Sequence, residues 1–398
     1  MSPRPEAPHP LSRRGPRPLM LHLGLAWMKA SVSGAALQSW SSSWLNALSG
    51  DTPPDPQALA TLFEAAWQQD RQLIAGIAAY RRAAYVRCLS EKPVVWAEGE
   101  TRLLDYGGNG PAVLFVPSLV NRAYILDLME DGSMLRWLAT QNMRPFLLDW
   151  GWPGEVERYF SLTDYIAGRL ERALAALPGP VILAGYCMGG LLALAAALRA
   201  QMVGGKVAGL ALLATPWDFH AEDPQAAQRV AATLPFMEAA LQFSNSLPID
   251  MLNTLFTLID PDGVAQKYRD FAGQDPASLR ARRFVALEDW LADGVPLGAA
   301  VAREAIGGWY GANSTACRQW RVAGEVVDPA GLEIPCFCAI PARDRVVPAK
   351  SAYGLAQALR NVMVLEPSAG HIGMVAGTHA QTALWAPFST WVQGLLSG

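Results

Sequence analysis

The residues most able to do chemistry lie in Gly185-Tyr186-Cys187-Met188-Gly189-Gly190. An apolar run precedes this segment and a helix-forming run follows it. Cys187 therefore falls on a tight strand-to-helix turn, the glycine–x–nucleophile–x–glycine elbow with sulfur in place of oxygen. Gly185 and Gly189 are needed because the backbones pass too closely for side chains. The helix N-terminus beyond the turn favours a thiolate. Such a nucleophile needs an acid and then a histidine later in the chain. His371, in Ser368-Ala369-Gly370-His371-Ile372-Gly373, follows the last expected strand and is the candidate base. Asp344, in Pro341-Ala342-Arg343-Asp344-Arg345, follows the strand before it and is the candidate acid. Asp218, after Thr215-Pro216-Trp217, is the rival acid, and His379 reads as a surface or cap residue. An oxyanion hole needs two N–H donors. Met188 supplies one, and the loop Pro117-Ser118-Leu119-Val120-Asn121 the other, with Val120 the residue chosen.

The elements that must hold these residues alternate. Val94 to Tyr106 reads as a hairpin turning near Glu98-Gly99. Strands follow at Ala112 to Val116, Arg144 to Trp150, Val181 to Gly185 and Val207 to Thr215. Between them lie helices at Ser133 to Gln141, Leu162 to Leu177 and Gly189 to Ala200, with Ser161 and Asp164 at capping-box spacing. The rhythm stops at Pro216 and resumes with a strand at Pro335 to Pro341. A helix near Ser351 to Leu359, the strand Val362 to Leu365 and a helix from Gln381 to Leu396 complete it. Strands apolar on both faces argue a mostly parallel sheet covered by helices. With the cysteine elbow this predicts an α/β architecture of the α/β-hydrolase type, with a helical lid inserted. The expected divisions are a disordered tail at 1–18, N-terminal helices at 19–90, a core at 91–216 and 331–398, and a helical cap at 217–330.

Composition narrows the function classes. The chain has 398 residues, 51% hydrophobic, with a net charge of -3, so no basic stripe points to nucleic acid. Its 14 Trp suit an apolar substrate or surface as well as a large core. The five cysteines are odd in number and fit neither a disulfide framework nor a zinc site. Cys336 and Cys338 sit i, i+2 in an apolar strand and read as small core residues, and a reducing cytoplasm is the expected compartment. The apolar run Leu19 to Met28 is interrupted by Lys29 and is too short to span a bilayer. It reads as an amphipathic helix on the protein's own core, a partner or a lipid-like surface.

Taken together, these segments resemble the polyhydroxyalkanoate synthases. The family's G-x-C-x-G-G box stands here as residues 185–190, and its asparagine-containing segment as Leu119 to Leu128. Leu148-Asp149-Trp150-Gly151-Trp152-Pro153-Gly154 is similar to the D-W-G-Y-P stretch of the short, two-subunit class. Trp290 and Asp293 match its W-x-x-D landmark, and Gly370-His371-Ile372-Gly373 its G-H-I-G. The likeness covers about residues 90 to 395. One departure is Arg345, where the family has His after the acid. The resemblance implies a Cys187–His371–Asp344 triad that polymerises 3-hydroxyacyl-CoA through a cysteine-bound thioester. The partners would be that thioester and the growing polyester, with a second subunit or a homodimer left open. It implies no metal or redox cofactor, coenzyme A being part of the substrate, and a place in the cytoplasm or at polyester granules. Two alternatives stay open, a cysteine hydrolase or thioesterase on the same fold and a non-catalytic granule or scaffold protein.

Overall fold

The computed structural model describes residues 13–31, 56–259 and 263–395. Two compact units emerge. One holds the residues up to Arg87 together with Asn253–Ala292, and the other holds Cys88–Leu252 and Asp293–Gly398.

The larger unit is built on an eight-stranded sheet. Its strands are β1 (Val94–Glu98), β2 (Thr101–Asp105), β3 (Ala112–Val116), β4 (Arg144–Asp149), β5 (Val181–Tyr186), β6 (Val207–Leu213), β7 (Cys336–Ala339) and β8 (Val362–Leu365), in the order β1-β2-β4-β3-β5-β6-β7-β8. β1 and β2 form the hairpin, β2 runs antiparallel to β4, and the rest is parallel. One register row crosses six strands through Phe146, Leu114, Leu183, Leu210, Cys336 and Val362. The expected parallel sheet with helices is thus present. β5 is buried along its whole length, as a strand covered on both faces must be. Cys336 and Cys338 are 2% exposed, and burial pushes the Cys336 thiol up to about 12, which suits inert core residues. The last helix, Ala386–Gly394, packs Phe388 between Phe115 and Phe337, with ring centroids 5.9 and 5.8 Å away.

Local signals are realised in places and overridden in others. Ser161 and Asp164 exchange backbone-to-side-chain bonds of 2.8 and 3.2 Å, closing the capping box. The helix expected beyond them is not one α-helix. Asp164–Leu170 winds as a π-helix before the α-helix Glu171–Ala175, and Arg169 turns inward to Glu157 Oε1 at 2.8 Å. The region 217–330 reads from sequence as a helical cap with no clear strand. It contains the paired two-residue strands Ser246–Leu247 with Leu297–Gly298, and Arg321–Val322 with Glu325–Val326. These pieces are too short to show as apolar alternation. The second pair turns at Ala323 and Gly324, both at positive φ, the geometry a two-residue hairpin demands.

The smaller unit is helical, with Leu19–Ser31, Pro56–Arg82, Gly263–Ala272 and Leu279–Ala292. Leu73, Ile77 and Tyr80, spaced i, i+4 and i+7, pack against Tyr268, Phe271 and Val285, while Ile74 on the other side of the helix stays exposed. Trp67, earlier on the same helix, is exposed, and the side chains of Leu59, Leu62, Phe63 and Ala66 lie outside the described ones. Helix Leu19–Ser31 places Ala26 in this cluster with Leu19 and Leu23 against it. Residues 1–12 of the expected disordered tail lie outside the described part, and residues 13–18 are held. Arg13 is 5% exposed and chelates Asp289 through two 2.6 Å bonds. It also donates to the carbonyls of Ala83 and Tyr85, each at 2.6 Å. A Pro- and Arg-rich composition could not reveal a partner 276 residues away.

Candidate active site

Four strand ends meet the chemistry. β3, β5, β7 and β8 run parallel, so the loops leaving their C-terminal ends share one edge of the sheet, where open α/β sheets bind ligands. Cys187 leaves β5, Asp344 lies beyond β7, His371 lies beyond β8, and residues 117–122 leave β3.

The turn at Cys187 is fixed by backbone. Its φ of 56° and ψ of -128° are conformations that L-residues avoid. Cys187 N donates to Leu213 O at 2.8 Å, and Gly190 N donates to Cys187 O at 2.9 Å. A Cβ at Gly185 would stand 2.4 Å from Gly190 Cα, and one at Gly189 only 2.1 Å from Val116 O. No side chain fits at either position. Helix Met188–Met202 starts at the next residue, so the Met188 N–H is one of the donors the helix leaves without an internal acceptor.

His371 is brought to this sulfur from the far end of the chain. Its Nδ1 lies 2.7 Å from Asp344 Oδ2, and the Cys187 side chain hydrogen-bonds the same ring. Tyr186 lies alongside, its ring centroid 5.2 Å from that of His371, and its hydroxyl donates to His371 O at 3.2 Å. Asp344 is wholly buried, and its Oδ1 accepts from Val346 N and Val347 N, both at 2.8 Å. The carboxylate is therefore satisfied on both oxygens and locked in orientation. Burial works against charge on His371. The charge and hydrogen bond of Cys187, with those of Asp344, overcome it and push the imidazole up to about 10.

The residues singled out from sequence thus divide. Cys187, His371 and Asp344 are brought together. Asp218 is not part of that group. It accepts from Asn313 Nδ2 at 2.8 Å and from His220 N at 2.9 Å. His379 is exposed, and its carbonyl caps the start of the last helical stretch by accepting from Ala383 N at 2.9 Å. Val120 differs from expectation. Its N–H donates to Ser118 Oγ at 3.2 Å, so it is engaged within its own loop rather than free for an oxyanion. Arg345, next to the acid, is exposed.

Tyr310 was missed. It sits in the π-helical stretch Glu304–Gly311, and its ring lies 4.8 Å from Phe219. Burial, and after it the charge of Cys187, push its hydroxyl up to about 12. No local motif marks such a residue. Only the folded chain brings it near the sulfur. Among the described residues no group of three or more His, Cys, Asp or Glu could hold a metal ion. None of their helices is long and apolar enough to cross a membrane.

Comparison with known proteins matches residues 113–383 to the model of the alpha/beta hydrolase family. Poly(3-hydroxyalkanoate) polymerase subunit PhaC of Haloferax mediterranei is 26% identical over 344 residues, covering 82% of this chain and 69% of that protein. The protein of the same name from Allochromatium vinosum is 26% identical, covering 76% and 88%. That from Synechocystis is 26% identical, covering 70% and 77%. The resemblance drawn from the cysteine box and its companion segments is borne out by these relatives.

Proposed function

The chain belongs to the alpha/beta hydrolase family, and from that premise we propose that it is an acyltransferase of the polyhydroxyalkanoate synthase type. The supporting observation is the imidazole of His371, which hydrogen-bonds Cys187 on one side and meets the fully buried Asp344 at 2.7 Å on the other. The similarity to poly(3-hydroxyalkanoate) polymerases supplies the substrate class.

In this reading the Cys187 sulfur, its proton held by His371, attacks the carbonyl of a 3-hydroxyacyl-CoA thioester. The tetrahedral oxyanion is held by Met188 N–H and a second donor from the loop after β3. The C–S bond to coenzyme A breaks, and the departing thiolate takes the proton from His371. The 3-hydroxyl of an acyl group then gives its proton to His371, neutral since coenzyme A left, and attacks the Cys187 thioester, forming one ester and freeing the thiolate with His371 again protonated. Asp344 orients the imidazole throughout. A thioester exchanged for a thioester keeps the acyl group activated, which an oxygen nucleophile would not. These steps need no metal or redox cofactor. Tyr310, which feels the charge of Cys187, and the Phe219 ring packed against it would help keep water from the acyl-enzyme. Assembly with a second synthase subunit or as a homodimer, and residence at polyester granules in the cytoplasm, belong to the same proposal.

The test is coenzyme A release from short and medium 3-hydroxyacyl-CoA, with the product analysed. Insoluble polyester supports the synthase. Free hydroxy acid in its place would make the chain a thioesterase. No release, with or without an added synthase subunit, would leave it non-catalytic.

A further inference from the structure

The loop after β3 is anchored at both ends, and the far anchor is a carboxylate that the mechanism does not use. At the near end, Trp150 Nε1 donates to Pro117 O at 3.0 Å, and Gly189 packs directly on the carbonyls of Val116 and Pro117. At the far end, Asn121 forms an antiparallel bridge with Gly294. Arg122 Nε lies 3.6 Å from Asp293 Oδ2, and the side chain of Tyr124 hydrogen-bonds the same carboxylate. The Arg122 guanidinium also lies over the Trp152 ring, 5.9 Å from its centroid. Asn121, Arg122 and Tyr124 thus all converge on Asp293–Gly294.

Such an anchor matters because an oxyanion donor works only within about 2.7–3.1 Å of the oxygen it serves. A misplacement of about 1 Å costs on the order of 10²-fold in rate. Between its two anchors the loop is held by the buried Ser118 and Leu119 and by the bond from Val120 N to Ser118 Oγ. The contacts at its two ends set where this short segment enters and leaves the sheet edge. Asp293 is largely buried, its side chain 28% exposed, and burial raises its carboxyl pKa while Arg122 and Tyr124 oppose that rise. Asp149, whose charge also acts on Asp293, is paired with Arg102 at 3.0 Å.

We propose that Asp293 is a positioning residue for acyl transfer, holding loop 117–122, through Arg122 and Tyr124, where a backbone N–H meets the oxyanion. This rests on the acyl-transfer reading of Cys187 and is tested apart from its natural substrate. Acylation of Cys187 by p-nitrophenyl acetate passes through a tetrahedral oxyanion and releases p-nitrophenolate as a burst. Alkylation of the same sulfur by iodoacetamide is a direct displacement with no such oxyanion. In the full-length chain, Asp293→Asn should slow acylation about 10- to 100-fold while alkylation stays within about twofold. Tyr124→Phe, which keeps the ion pair and the fold, should show the same split at a few-fold. Asp293→Glu should recover most of the loss. Acylation unchanged in both variants, or alkylation falling in parallel with it, would overturn the proposal. A wild-type chain that is acylated but releases no coenzyme A from 3-hydroxybutyryl-CoA removes the synthase reading and leaves the role of Asp293 intact. A wild-type chain that is not acylated at all removes both.

Discussion

Each unit of this molecule buries a carboxylate against a nitrogen base. In the helical unit, Asp289 meets Arg13 through two 2.6 Å bonds and accepts from the Tyr80 hydroxyl at 2.9 Å. In the sheet unit, Asp344 meets His371 at 2.7 Å and accepts from two backbone N–H groups. The geometry is similar, yet the chemistry available is not. A guanidinium never releases its proton in a protein, and Arg13 uses its remaining donors on Ala83 and Tyr85. That pair can only hold the chain together. An imidazole has a second nitrogen and a proton it can give away, and His371 faces Cys187 with that capacity. A buried carboxylate becomes mechanistic when its partner's charge can move.

The comparison can be broken most sharply at the sulfur. Cys187→Ala should cost at least about 10⁴-fold in coenzyme A release, with the fold retained by circular dichroism. Residual turnover near wild type would dismiss the assignment. The two carboxylates should then separate under one substitution. Asp344→Asn should lower turnover by about 10²- to 10⁴-fold with little change in melting temperature, since the tautomer and charge of His371 are mis-set. Asp289→Asn should do the reverse. It should lose about 3 kcal/mol in denaturant unfolding, because Arg13 is left buried without its counter-charge, and keep its turnover per folded molecule. Equal kinetic damage from both would erase the distinction. The finest probe is the imidazole itself. With the sulfur present, His371 should hold its proton until about pH 10, read by ¹⁵N chemical shift. In Cys187→Ala two of the influences that raise it vanish, burial is left against Asp344 alone, and the titration should move down in pH. An unchanged midpoint would show that the sulfur does not charge the ring.

Much of this was legible before any coordinates. Continuous apolar runs such as Val181 to Gly185 announce strands covered on both faces, and the glycines around Cys187 announce a turn without room for side chains. The order of nucleophile, acid and base picked out His371 and Asp344 rather than His379 and Asp218. What escaped depends on partners distant in sequence. Arg13 lies in a stretch that looks unstructured, and only Asp289 gives it a place. Tyr310 has no neighbours in sequence that signal its approach to the sulfur. The engagement of the Val120 N–H by Ser118, two residues earlier, could not be read from sequence, since a loop's hydrogen bonds do not follow a period. The division of region 217–330 between two units depends on packing that composition does not encode.

Cys187 also sits in a backbone conformation, φ 56° and ψ -128°, that suits glycine far better than any residue with a Cβ. Such a conformation is held at a cost of about 1–3 kcal/mol. Selection for sturdiness alone would put glycine at this position. Under the proposed function, the cysteine there is a permanent tax on the fold, tolerated for reactivity. Cys187→Gly should accordingly melt higher than the native chain while being inert, and inert revertants gaining heat tolerance should be easy to recover.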